Sequence, residues 1–301
     1  NAISDFTIES CNFIENTVNE YWNSNADSLM TPQVWVVNKL NGQYGTKFNL
    51  IFDSCYFQKN HSPAGGAIHY GKGNNMVNTR VIFRSCQFLE NEANTGSAIL
   101  IESYQGCEII DCRFIKNKAQ ESLGTVNIKT DFFLSESRES TLIITGSTFE
   151  DNECKEGHAI YIAESTFSVQ ITKCTFKDCG TNDYVISIKA KPQSVLVQNN
   201  TIHFTVGDKT ATPLFLNTES FQLNENKIQN IKSTVVRFYG RNEDNDGFQI
   251  IGNTFSECSG DSVIDAENLI KFTPIIKRNT FTTFCFLYFF SLRDTKLCKH
   301  Q

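Results

Sequence analysis

The chain has 301 residues, 40% hydrophobic and 12% aromatic, which is ample for a packed core. Its formal charge of −6 and pI near 5.5, without any run of Lys and Arg, exclude nucleic acid as an expected partner. The longest apolar run, Phe284 to Leu292, is about half of the ~20 residues that cross a bilayer, so no membrane-spanning segment is expected.

From the N-terminus onward one short sentence recurs. It reads "ESCNFIENT" from Glu9, "DSCYFQKNHSPAGGAIHY" from Asp53, "RSCQFLENEANTGSAILI" from Arg84, "IDCRFIKNK" from Ile110 and "GSTFEDNECKEGHAIYI" from Gly146. Taking the Cys as an anchor gives ten units, at Cys11, Cys55, Cys86, Cys112, Ser147, Cys174, Asn200, Asn226, Asn253 and Asn279. The spacing is 26 or 27 residues, except for three longer steps of 44, 31 and 35 that carry insertions. Two residues past the anchor every unit has Phe or Ile, from Phe13 to Phe281, and three residues before it every unit is apolar, from Ile8 to Ile276. Five residues before it only Pro274 breaks an apolar column.

Alternation of period two on either side of the anchor marks two short strands joined by a two-residue corner. A third strand follows at "GGAIHY", "GSAILI", "GTVNI" and "GHAIYI", where glycine serves a positive φ or a close approach. Three short strands per turn predict an all-β fold, a right-handed single-stranded parallel β-helix of about ten coils over residues 1–284, followed by a capping or tail segment over 285–301. Leucine-rich repeats and propeller blades fit neither the pattern nor the period. Because Phe6 already lies in a strand column, further coils or a cap are expected upstream. Five residues past the anchor stand Asn16, Asn60, Asn91, Asn117 and Asn152, an expected asparagine ladder that stops at Cys179.

The pairing of "FxxN" with "GGAI", seen at Phe57 to Asn60 with Gly65 to Ile68 and again at Phe88 to Asn91 with Gly96 to Ile99, resembles the repeat of the chlamydial polymorphic outer membrane proteins. The resemblance covers roughly Ser10 to Ile162. It implies a β-helical passenger domain of pectin-lyase-like superfold, at a cell surface or secreted, and adhesive toward protein or carbohydrate.

Eleven cysteines, an odd count, lie largely in inward columns and are expected as free core thiols. No Cys/His spacing suits zinc. Two further chemistries are weighed and set behind structural roles. Asp151 and Asp178, adjacent carboxylates four residues past their anchors in a column of alternating charge, are the pair that a carbohydrate-active enzyme, a lyase or glycoside hydrolase, would use. Asn242, Asp244 and Asp246 are spaced like the start of a calcium loop, but Asn253 stands where the closing Glu belongs. No other cofactor is expected.

Insertions near 17–47, 71–79, 130–140 and 239–247 should cluster along one edge of the rod. The first carries Tyr21, Trp22, Trp35 and Tyr44, the expected binding group, unless the tryptophans cap the N-terminal end. The functional expectation is a non-enzymatic, extracellular or cell-surface recognition module. The alternatives are a carbohydrate-active enzyme and an intracellular structural repeat protein.

Overall fold

The computed structural model of the chain describes residues 4–17, 34–36, 48–70, 79–102, 106–120, 123–129, 141–154, 157–163, 168–180, 183–189, 192–205, 211–239, 248–267, 274–283 and 285–292. These residues form a β-solenoid of stacked parallel coils. Three parallel sheets hold ten strands each, and a fourth, of three strands, lies between the second and third sheets. Among the described residues no helix is long and apolar enough to cross a membrane.

The repeat columns become physical rows. In the first sheet Ile8 pairs with Phe52, Phe52 with Phe83, Phe83 with Ile109 and Ile109 with Ile144, and the register continues to Ile276. In the second sheet the residue two past each anchor pairs with its counterpart in the next unit, from Phe13 to Phe281. The inward rows make one continuous core. Phe57, Phe88 and Phe114 are fully buried, and their rings stack 4.9 and 4.8 Å apart, tilted by only 3° and 1°. Strand spacing thus dictates ring spacing.

Corners are the difficult places, because a chain that turns inside a stack buries polar backbone. The expected ladder is present. Asn60 Nδ2 donates to Asn91 Oδ1 at 2.9 Å, Asn91 to Asn117 and Asn117 to Asn152 at 3.0 Å, and each also reaches the carbonyl of the Phe in the unit before, as Asn91 does to Phe57 O at 3.0 Å. It ends where Asn152 Nδ2 meets Cys179 Sγ at 3.9 Å. A second ladder then occupies the other corner: Asn200 donates to Asn226, Asn226 to Asn253 and Asn253 to Asn279, each at 3.0 Å.

Thiols complete both corners. At the anchor corner Asn200, Asn226 and Asn253 donate to Ile171, Val197 and Leu223 carbonyls at 2.8 to 2.9 Å. Cys55 and Cys86 address the equivalent carbonyls, Ile8 O and Phe52 O, at 3.3 and 3.4 Å. Past the end of the first ladder Cys179 and Cys258 do the same to Phe149 O and Ile228 O, at 3.4 and 3.5 Å. The inward cysteines therefore act as donors as well as apolar filling, and the cysteines from Cys11 to Cys258 are unbridged.

Both corners turn through one left-handed residue. Ser54, Ser85, Asp111, Lys173, Asn199 and Glu225, each just before its anchor, have φ of 51° to 57°, and Lys59, Glu90, Lys116, Asp151 and Asp178, four past theirs, have φ of 51° to 54°. The column of alternating charge is thus first a conformational column. Its Lys59–Glu15 pair is 3.7 Å apart with both side chains at least half exposed, which contributes little. At the entry to the third strand Gly65 has φ +60° and a Cβ there would stand 2.3 Å from Ile68 O. His158 takes an adjacent motif position: its Nδ1 accepts the Cys154 N–H at 3.0 Å and its ring fills the space left by Gly180.

Substitutions at three positions separate these roles. Phe88→Ala should cost about 3–5 kcal/mol by opening a cavity, and Asn117→Ala about 3 kcal/mol or more, because it strands buried partners on both neighbouring units. Glu90→Gly should be neutral or stabilise by up to ~1 kcal/mol, whereas Glu90→Val should cost about 1–2 kcal/mol. Equal denaturant midpoints for Phe88→Ala and Glu90→Gly would contradict the assigned rows.

Burial pushes Cys55 and Cys154 up from 9.0 to about 11 and Cys174 to about 12. Below pH 9 these thiols are protonated in both folded and unfolded chains. As pH rises from 9 to about 11 for Cys55 and Cys154, and to about 12 for Cys174, the unfolded chain releases protons that the fold retains, so stability should fall there by up to about 1.4 kcal/mol per pH unit for each thiol. Cys174→Ser, which copies the natural Ser147 of the same column, should make the alkaline fall shallower. Thiol reagents should label Cys55, Cys86 and Cys112 only after unfolding, and rapid native labelling would refute their burial.

Candidate functional site

Strands of the third sheet send one row of side chains into the core and the next row outward. Tyr184–Ile188, Thr212–Asn217, Val236–Tyr239 and Ser259–Glu267 lie side by side, with Ser187 beside Phe215, Phe215 beside Arg237 and Arg237 beside Asp265. Their inward neighbours Ile186, Leu214, Val236 and Ile264 are core residues. The outward row is therefore held on a rigid base. A second outward row joins Asn217, Tyr239 and Glu267.

The outward side chains are tied to one another. Tyr184 and Phe215 have ring centroids 4.8 Å apart, and Arg237 Nη1 donates to the Tyr184 hydroxyl at 3.0 Å. Arg237 Nε lies 3.6 Å from the carboxylate of Asp265, which is 1% exposed, against 37% for the Arg237 side chain. Partial burial would lower the Arg237 pKa, but the Tyr184 hydroxyl and the Asp265 and Glu267 carboxylates outweigh it and hold the guanidinium above its usual range. Tyr239 is 41% exposed, and Phe215 and Asn217 are half-buried. Asn217 Nδ2 donates to Lys189 O at 3.3 Å, and the exposed Lys189 ammonium lies 5.7 Å from the Tyr161 ring. The arrangement offers rings, a fixed guanidinium and a balance of charges.

The same row runs back toward the N-terminus through Tyr161, Asn127, Leu100, His69 and Trp35. There it is closed: His69, Leu100, Asn127 and Tyr161 are all buried, and His69 Nε2 pairs with Glu102 at 3.0 Å.

Of the sites expected from sequence, Trp35 lies in strand Val34–Val36, which occupies the third-strand place of the first unit within the 17–47 segment. Tyr21, Trp22 and Tyr44 lie outside the described residues, as do Asn242, Asp244 and Asp246 and most of the four insertions. Asp151 and Asp178 occupy left-handed corners, and the Asp178 carboxylate accepts the Thr205 N–H at 2.6 Å and the Thr205 hydroxyl at 2.7 Å. Asp178 thus caps the next turn. Tyr184, Phe215, Arg237 and Tyr239 were not singled out from sequence, although carrying the third-strand alternation past Ile162 would have placed them on one face. The chain matches no protein-family model, no curated protein and no solved structure.

Proposed function

We propose that the chain is a non-enzymatic recognition module, acting at a cell surface or in secreted form, whose binding face is the outer side of the third sheet around Tyr184, Phe215, Arg237 and Tyr239. The observation that carries this reading is the cluster of half-open aromatic rings around a guanidinium pinned by Tyr184 and Asp265. Rings and Arg are the side chains that dominate binding energy at recognition surfaces, and a face already ordered by sheet hydrogen bonds loses little entropy on binding. The resemblance of the first five units to adhesive passenger domains points the same way.

An array displaying both extracellular glycans and matrix proteins tests the reading. The chain should bind a subset of spots, and Tyr184→Ala with Arg237→Gln should lower that binding by about tenfold or more while the β-rich circular dichroism persists. Asp151→Asn with Asp178→Asn should leave it unchanged. Release of reducing ends or unsaturated products from any polysaccharide would establish the enzyme reading instead, and binding that ignores Tyr184 and Arg237 would move the site elsewhere.

A further inference from the structure

We infer that this open half of the third-sheet face takes neutral oligosaccharides, an inference that rests on the recognition reading and assigns it a ligand class. The chemistry of the face is amphipathic in the manner of a sugar ring, which is apolar on its C–H faces and polar at its rim. Phe215 and the exposed Tyr239 supply ring surfaces, in adjacent strands of the sheet. Arg237 lies between Phe215 and Asp265 in the outward row, and its guanidinium is oriented by the Tyr184 hydroxyl on one side and Asp265 on the other. Such a planar donor can serve two neighbouring hydroxyls at once without a search for its rotamer. Asn217 adds an amide that both donates and accepts, which matches hydroxyls better than it matches a carboxylate.

Charge and shape narrow the class further. Lys189 and Arg237 are matched by Asp265 and Glu267, so the face has no excess of positive charge with which to hold an acidic polysaccharide. A neutral chain meets no such penalty. The open side chains, Phe215 and Arg237 in one row and Asn217, Tyr239 and Glu267 in the other, span about 10 Å along the rod at ~4.8 Å per step, room for a couple of sugar units laid across the strands. A protein partner fits less well, because the centre of the face is a charged pair and not the apolar pocket that anchors protein interfaces.

Titration calorimetry with cellohexaose, mannohexaose, xylohexaose and hexagalacturonate, on the full 301-residue chain, decides the matter. At least one neutral hexasaccharide should bind saturably and more tightly than hexagalacturonate. Tyr239→Ala should weaken it about tenfold or more, Arg237→Gln likewise, and Lys59→Ala, on a distant corner, not at all. Should Arg237→Gln unfold, the exposed Tyr239 still tests the site. Absence of neutral-sugar binding, tighter binding of the acidic hexamer, or indifference to Tyr239→Ala each overturns the inference. If protein spots on the array nevertheless depend on Tyr184 and Arg237, the recognition reading survives while the sugar assignment falls.

Discussion

One recurring hydrogen bond holds the architecture together: at most corners an inward donor is addressed to a backbone carbonyl of the unit before. Sheet hydrogen bonds stack the strands, but a corner interrupts the ladder while remaining under the next unit, so an unanswered carbonyl there costs about 1–3 kcal/mol and recurs at every turn. Asn117 to Phe88 O and Cys86 to Phe52 O are two chemical solutions to that one demand. The thiol is the weaker donor but the smaller one, and it leaves no second polar atom needing a partner. Where asparagine holds one corner, a cysteine or serine holds the other in most units, which keeps the interior from carrying two full amide ladders at once.

With the interior so constrained, variety is confined to the outside. The inward rows repeat apolar residues through every unit, and the left-handed corner residues tolerate Ser, Lys, Glu or Asp because their side chains project to solvent. The third sheet then differs along its length. Its outer row is buried from His69 to Ser187 and half open at Phe215 and Arg237, so one scaffold presents a sealed face and a usable one without any change in backbone plan.

The rows were legible in the sequence because burial repeats at fixed intervals: Phe57, Phe88 and Phe114 appear in the same column whatever lies between them. The second asparagine ladder was not, although Asn200, Asn226 and Asn253 stood in the anchor column. Hydropathy separates Cys from Asn, whereas the corner treats both as donors to the same carbonyl. Left-handed geometry at Lys59 and Glu90 was equally silent, since neither residue type favours it. The candidate face escaped notice for a different reason. Past Ile162 the third strand loses its Gly-Ala-Ile marker, and Tyr184, Phe215, Arg237 and Asp265 share a direction in space but no residue type.

The change of corner between Asn152 and Asn200 also divides the chain into two stretches that accept an added unit differently. A unit copied within the first five would meet matching amides above and below, and so would one copied within the last four. Moved across the divide, the segment around Asn91 would set its amide between Thr205 and Ile231, where the backbone carbonyl of the unit before still takes one Nδ2 proton but no neighbouring amide continues the ladder. Lengthening of this rod by duplication therefore costs least on either side of the switch, where each added unit keeps its amide in line with those above and below.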